Sequence, residues 1–222
     1  MGDLITMDDL TNEEILQVLD NARSLLPVAK GEVYLPLLQG KVLGNLFFEN
    51  STRTRMSFET AMKRLGGEVL NLSSVGSSVS KGETLYDTMQ MVDGYADIAV
   101  IRHPNQGAAQ YSADAVEIPV LNGGDGAGNH PTQTMLDLFT IREAHESLEG
   151  LNVMMVGDLR YGRTTHSLSH ALVRFGAKIT LVSPESLKMP DEIVSDLKNH
   201  GGHINETEEM SLSIDSADVI YM

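Results

Sequence analysis

The chain has 222 residues, 41% of them hydrophobic, with 16 basic against 31 acidic side chains and a formal net charge of −15 at pH 7. That length holds one large or two modest domains with a sizeable core, and the charge argues against nonspecific binding to nucleic acid or an anionic membrane. With no cysteine, disulfides, thiolate metal sites and cysteine nucleophiles are excluded, so an anionic ligand has to be held by locally clustered Arg and Lys.

The opening Met1-Gly2-Asp3-Leu4-Ile5-Thr6 lacks the basic and apolar regions of a secretory signal, and no apolar run approaches the ~20 residues of a spanning helix. A cytoplasmic protein is expected. Next, Thr11-Asn12-Glu13-Glu14 is a capping box, and Ile15, Val18, Leu19 and Ala22 recur at helical spacing, which predicts a helix to about Leu26. Strands and helices then alternate. Val42 to Phe48 predicts a strand, about Arg53 to Leu65 a helix, Val69 to Leu72 a strand and about Thr84 to Tyr95 a helix. Ile98 to Arg102 and Pro119 to Leu121 follow as strands, with a short helix near Gly107 to Ala113 between them. Apolar strands alternating with helices imply a parallel sheet covered on both faces, whose ligands bind beyond the carboxyl ends of the strands.

A long helix from Pro131 to about His145 comes next. Leu151 to Val156 then opens a second alternation: a helix near Thr165 to Phe175, a strand at Lys178 to Val182, a helix near Asp191 to Asn199 and a strand at Val219 to Met222. A break near Glu149-Gly150 divides the chain into domains 1–149 and 150–222. The expected fold is α/β, with two doubly wound parallel-sheet domains. The second is expected to be incomplete, because it stops on an apolar strand with no turn or helix after it.

Chemistry concentrates where strands end. Ser51-Thr52-Arg53-Thr54-Arg55 stands between a strand and a helix, where the first backbone N–H groups lack intrahelical partners and the macrodipole favours an anion. Ser51, Thr52 and Thr54 add hydroxyl donors, and Arg53 adds a planar fork for phosphate oxygens. An ordinary N-cap is the competing reading of the same residues. Ser77-Ser78-Val79-Ser80-Lys81 brings a single cation on a Ser-rich loop. Arg102-His103-Pro104 closes a strand, so Arg102 is expected to point into the crevice and His103 to be a packed or solvated neighbour.

A glycine-rich run from Gly123 to Gly128 leads to His130 and Gln133, where an imidazole can donate to a carbonyl oxygen and a Gln side chain can read a planar amide in both senses. Gly157-Asp158-Leu159-Arg160-Tyr161-Gly162-Arg163-Thr164 differs from a Walker A loop by Arg in place of Lys, so a nucleotide site competes as a reading. His166 and His170, four apart, have the spacing of a shared metal site but lack the intervening Glu. The expectation is therefore no metal and no cofactor.

Together, and in this order, Phe47-Phe48-Glu49, Ser51-Thr52-Arg53-Thr54-Arg55, Lys81-Gly82-Glu83-Thr84-Leu85, Arg102-His103-Pro104, His130-Pro131-Thr132-Gln133-Thr134 and Gly157-Asp158-Leu159 with Gly162-Arg163-Thr164 resemble the aspartate carbamoyltransferase family. Ser51 to Arg55 is shared with ornithine carbamoyltransferases, whereas Lys81 in its setting and Met135-Leu136-Asp137-Leu138 look like the aspartate branch. The resemblance implies a first domain for carbamoyl phosphate, a second for L-aspartate, and homotrimers whose active sites are shared between subunits, with a regulatory subunit or larger assembly as a further expectation. It implies that Ser51, Thr52, Arg53 and Thr54 cradle the phosphate with Arg102, and that Thr54, Arg102 and His130 polarise the carbonyl. Gln133 holds the carbamoyl nitrogen, Lys81 with Ser77 or Ser78 reaches in from a neighbouring subunit, and Lys81 and Arg163 bind aspartate.

The family's later His-Pro-Leu-Pro-Arg segment has no counterpart before Met222, so the chain reads as C-terminally truncated and is expected to turn over poorly alone. Two alternatives stand beside this reading. One is a carbamoyltransferase for ornithine or another amine; the other is an inactive or regulatory fragment that pairs with complete chains.

Overall fold

The computed structural model describes residues 2–73, 81–126, 128–212 and 214–222. The chain divides into two compact units, residues 1–131 and 132–222, each built on a four-stranded parallel sheet.

The first unit contains α1 (Asn12–Ser24), α2 (Leu26–Lys30), β1 (Val42–Phe47), α3 (Thr52–Arg64), β2 (Glu68–Ser73), α4 (Leu85–Asp93), β3 (Ile98–His103), α5 (Ala108–Ala113) and β4 (Val120–Asp125). The capping box at α1 forms as expected: Glu14 N–H donates to Thr11 Oγ1 at 3.2 Å, and Thr11 N–H donates to Glu14 Oε2 at 2.8 Å. The strand order is β2-β1-β3-β4. Leu46, Ala99 and Ile101 pack into one core with Met89 and Val92 of α4 and Ala109 of α5, while Leu43, Phe47 and Val100 pack into another with Met62 of α3. Successive strand residues thus enter opposite cores, which is why these strands read as unbroken apolar runs.

The structure differs from the sequence expectation at β4, which continues past Leu121 through Gly123 and Gly124 to Asp125. Its pairing supplies the reason, since Ile101 is in register with Asn122 and His103 with Asp125. The N-terminus also joins this sheet. Leu4 N–H donates to the Val120 carbonyl and Asn122 N–H to the Leu4 carbonyl, both at 2.9 Å.

The second unit carries α6 (Pro131–His145), which begins at the junction, then β5 (Asn152–Val156), α7 (Arg163–Arg174), β6 (Lys178–Val182), α8 (Asp191–Asn199), β7 (His203–Thr207) and β8 (Val219–Tyr221), in sheet order β7-β6-β5-β8. β7 was not expected from the sequence. His203-Ile204-Asn205-Glu206-Thr207 is too polar to read as a buried strand, and as an edge strand paired only with β6 it is largely exposed. Along the chain the first compact unit ends at Pro131 and the second begins at Thr132, whereas the boundary expected at 149/150 lies between α6 and β5. Among the described residues no helix is long and apolar enough to cross a membrane.

Candidate active site

In the first sheet the order reverses between β1 and β3: the chain leaves β1 for β2 on one side and returns to β3 on the other. Ligands of open α/β sheets bind outside the carboxyl ends of the strands at such a switch point. Phe47 and Arg102 face each other in register there.

Four residues beyond Phe47, Ser51 is the N-cap of α3, with extended φ −155° and ψ 114°. Its side chain makes no capping hydrogen bond, unlike Thr11 of α1 and Thr84 of α4, and the first turn of α3 carries no acidic residue. Ser51 therefore holds the N-cap position with its hydroxyl not spent on a capping bond. Thr52 and Arg53 are exposed and Thr54 is half-buried in that turn, so the amino end of α3 keeps hydroxyl, amide and guanidinium donors together.

Arg102 is only 8% exposed. Its Nε donates to Glu49 Oε2 at 3.0 Å and its Nη1 to the Gly123 carbonyl at 3.3 Å, which fixes the plane of the guanidinium. His130 is equally buried. A Cβ placed on Gly124 would lie 3.2 Å from Arg102 Nη1 and 3.5 Å from His130 Cδ2, so both side chains converge on the same glycine, which has φ +117°. Only a residue without a side chain sits there without strain.

Buried Asn122 and Asp125 shape the loop between them. Asn122 Nδ2 donates to the carbonyls of Ile5 and Asn129, and its Oδ1 accepts the Gly124 N–H at 2.8 Å. Asp125 accepts N–H groups from Asn129 at 2.6 Å and Gly107 at 2.9 Å. Sequence reasoning missed Glu49, Asn122 and Asp125 as site-forming residues. The available signal was polarity inside or directly after otherwise apolar strands. Of the two alternatives for His103 the structure takes the packed one: its ring lies 5.4 Å from Phe48, its Nδ1 accepts the Asn105 N–H, and burial holds its pKa below the ordinary value.

In the second unit Arg163 opens α7 and is half-buried. The loop before it spends several of its amides on the protein's own oxygens. Asp158 Oδ1 accepts the N–H groups of Arg160 and Tyr161, Leu159 N–H donates to the Leu187 carbonyl, and Arg163 N–H donates to the Tyr161 carbonyl. A Walker-type cradle needs those groups turned to phosphate, so the nucleotide reading gains nothing from this loop. His166 Nε2 lies 2.7 Å from the Leu159 carbonyl oxygen, while His170 Nδ1 lies 3.5 Å from Asp196 Oδ2. The two imidazoles face different partners, and no metal-holding group of three or more side chains occurs among the described residues. Gln133 stands on the first turn of α6. Lys81 is exposed, and Ser77 and Ser78 lie outside the described residues.

Family models cover nearly the whole chain. The carbamoyl-P binding domain of aspartate/ornithine carbamoyltransferase matches residues 2–143, and the Asp/Orn binding domain matches residues 149–222. The chain belongs to the aspartate/ornithine carbamoyltransferase family. The aspartate carbamoyltransferase catalytic subunit of Methanococcoides burtonii is 53% identical over 99% of this chain and 71% of its own length. Among solved structures, the catalytic subunit of M. jannaschii aspartate transcarbamoylase is 47% identical with a TM-score of 0.93, covering 100% of this chain and 73% of that one. The Trypanosoma cruzi aspartate transcarbamoylase in complex with N-(phosphonacetyl)-L-aspartic acid is 38% identical with a TM-score of 0.94, covering 99% of this chain and 71% of that one. The α/β fold and the carbamoyltransferase resemblance expected from the motifs both stand, and membership in this family makes the chain a transferase catalytic chain.

Proposed function

We propose that this chain transfers the carbamoyl group of carbamoyl phosphate to the α-amine of L-aspartate, giving N-carbamoyl-L-aspartate and phosphate, a step of pyrimidine biosynthesis. The observation that carries the reading is the convergence of buried Arg102 and His130 on Gly124 at the switch point of the first sheet. Residues 1–149 are the carbamoyl phosphate domain and residues 150–222 belong to the aspartate domain.

Ser51, Thr52, Arg53 and Thr54 bind the phosphate with Arg102. As the amine attacks, a C–N bond forms and negative charge gathers on the carbonyl oxygen, where Thr54, Arg102 and His130 donate. The C–O bond to phosphate then breaks, phosphate leaves with the electron pair, and the proton on the attacking nitrogen passes to the departing phosphate. Gln133 holds the carbamoyl nitrogen, while Lys81 and Arg163 take the aspartate carboxylates. The nucleophile belongs to the substrate, so the protein supplies position and preorganised positive charge. That local charge is what lets a chain of net charge −15 accept two anions. The working form is a cytoplasmic homotrimer in which Lys81, with Ser77 or Ser78, comes from a neighbouring subunit.

Calorimetry with carbamoyl phosphate tests the phosphate site: Arg53→Ala and Arg102→Ala should each weaken binding, and unchanged affinity in both overturns it. Steady-state carbamoylation of aspartate against ornithine tests the acceptor, with preference for ornithine the overturning result. Sedimentation equilibrium at micromolar chain should return three copies, and a monomer there removes the shared site.

A further inference from the structure

Asp137 lies one helical turn beyond Gln133 on α6, and its two carboxylate oxygens have separate partners. Oδ1 accepts the Gln133 side-chain N–H at 3.1 Å, and Oδ2 accepts the Tyr221 hydroxyl at 3.2 Å. Tyr221 ends β8, at the carboxyl edge of the second sheet where its strand order reverses between β5 and β8. Thr164, in the first turn of α7, neighbours the Tyr221 phenol and works against the rise in its pKa that burial causes. All four residues are partly buried.

This pairing settles which end of the Gln133 amide is committed. An ionised carboxylate has no proton to give, so Gln133 must turn its NH2 to Asp137, and its carbonyl Oε1 is the end left for a ligand. The two ends of a glutamine amide are nearly the same shape, so only a hydrogen-bond partner of fixed polarity keeps them from exchanging. A carbamoyl group presents an NH2 that can donate to Oε1, whereas an acetyl group presents a methyl that cannot.

We propose that Asp137, braced by Tyr221, is a positioning residue that holds the Gln133 carbonyl toward the ligand and so selects a carbamoyl group over its methyl-ketone isostere. This rests on the reading of Gln133 given above. Burial pushes the Asp137 carboxyl above the usual carboxylate range, with the bonds from Gln133 and Tyr221 working against that shift. A carboxylate kept in such a place at a cost is consistent with an orienting role. A purely structural tie between α6 and β8 would alter stability without telling an amide from a ketone.

The test is calorimetric titration of the 222-residue chain with phosphonoacetamide and with acetonylphosphonate, which differ only in NH2 against CH3. The expected result is a preference for the amide of roughly tenfold, the effect of one hydrogen bond. Asp137→Ala should bring that preference close to parity, and Asp137→Asn, which keeps one acceptor oxygen, should restore part of it. Tyr221→Phe, which leaves α6 untouched, should lower it to an intermediate value. A full preference retained in both Asp137→Asn and Tyr221→Phe overturns the proposal even where Asp137→Ala does not fold. Arg102→Ala is expected to weaken both compounds alike. Affinity for both unchanged in that variant overturns the phosphate-site reading, whereas an Arg102 effect together with a preference that survives Asp137→Ala overturns the orienting role alone.

Discussion

Arg102 donates through Nε to Glu49 Oε2 at 3.0 Å, pairing a side chain that is 10% exposed with one that is 36% exposed. Glu49→Gln removes the charge partner of a nearly buried cation, which should cost about 1–3 kcal/mol of stability. A phosphate bound at the same guanidinium can take over as counterion. Chemical denaturation with and without millimolar phosphate should therefore show a larger stabilisation in Glu49→Gln than in the unsubstituted chain; equal gains would separate Arg102 from the anion site.

Arg53 is exposed on the first turn of α3. Exposed substitutions of this kind usually leave stability within about 0.5 kcal/mol, whereas a charge-assisted bond to phosphate contributes about 1.5–3 kcal/mol. Arg53→Ala should thus lose about tenfold or more in carbamoyl phosphate affinity by calorimetry with an unchanged melting temperature. A parallel fall in both would mark Arg53 as structural.

Gly124 combines a positive φ of +117° with contact to Arg102 and His130, so Gly124→Ala should lower stability by about 1–3 kcal/mol and weaken phosphate binding as well. Gly107 offers the comparison, with φ +84° and nothing within 4 Å of an added Cβ. Gly107→Ala should show the backbone cost in thermal melts with ligand affinity intact. If the two variants bind alike, the convergence on Gly124 is unimportant for the ligand.

Asp137 gives a pH dependence with a definite sign. Its carboxyl is raised by burial, so the folded protein holds that proton more tightly than the unfolded chain. The stability it contributes is fully present below the unfolded pKa and is lost as pH rises through the folded one. Asp137→Asn lacks this titration. The melting-temperature difference, variant minus unsubstituted chain, should therefore climb from about pH 3.5 to pH 7, the span over which a raised carboxyl titrates. A difference that shrinks over that range contradicts the burial argument.

How much of the fold could be read in advance depended on how each strand is buried. Val42 to Phe47 and Ile98 to Ile101 enter cores on both faces, and burial of that kind leaves little choice but an apolar run. His203 to Thr207 is paired along one side and largely exposed, so its polar residues carry no strand signal. Gly123 and Gly124 are poor strand formers by themselves; they fall where the register shifts between Ile101 and His103, and the pairs on either side, Ile101 with Asn122 and His103 with Asp125, carry β4 through them.

The sequence by itself determined the anionic balance, the alternation of strands and helices, the capping box at Thr11 and the residue types gathered at strand ends, because each rests on neighbours within a turn or two of chain. Tertiary structure alone decided which polar groups are spent and which remain. It left Ser51 without a capping bond, paired Arg102 with Glu49 and brought it to His130 around Gly124, tied the Leu159 N–H to the Leu187 carbonyl, and set the Tyr221 hydroxyl against Asp137. A hydrogen bond is made or left open according to what the fold brings within about 3 Å, and partners such as Glu49 for Arg102 and Asp137 for Tyr221 lie far away along the chain.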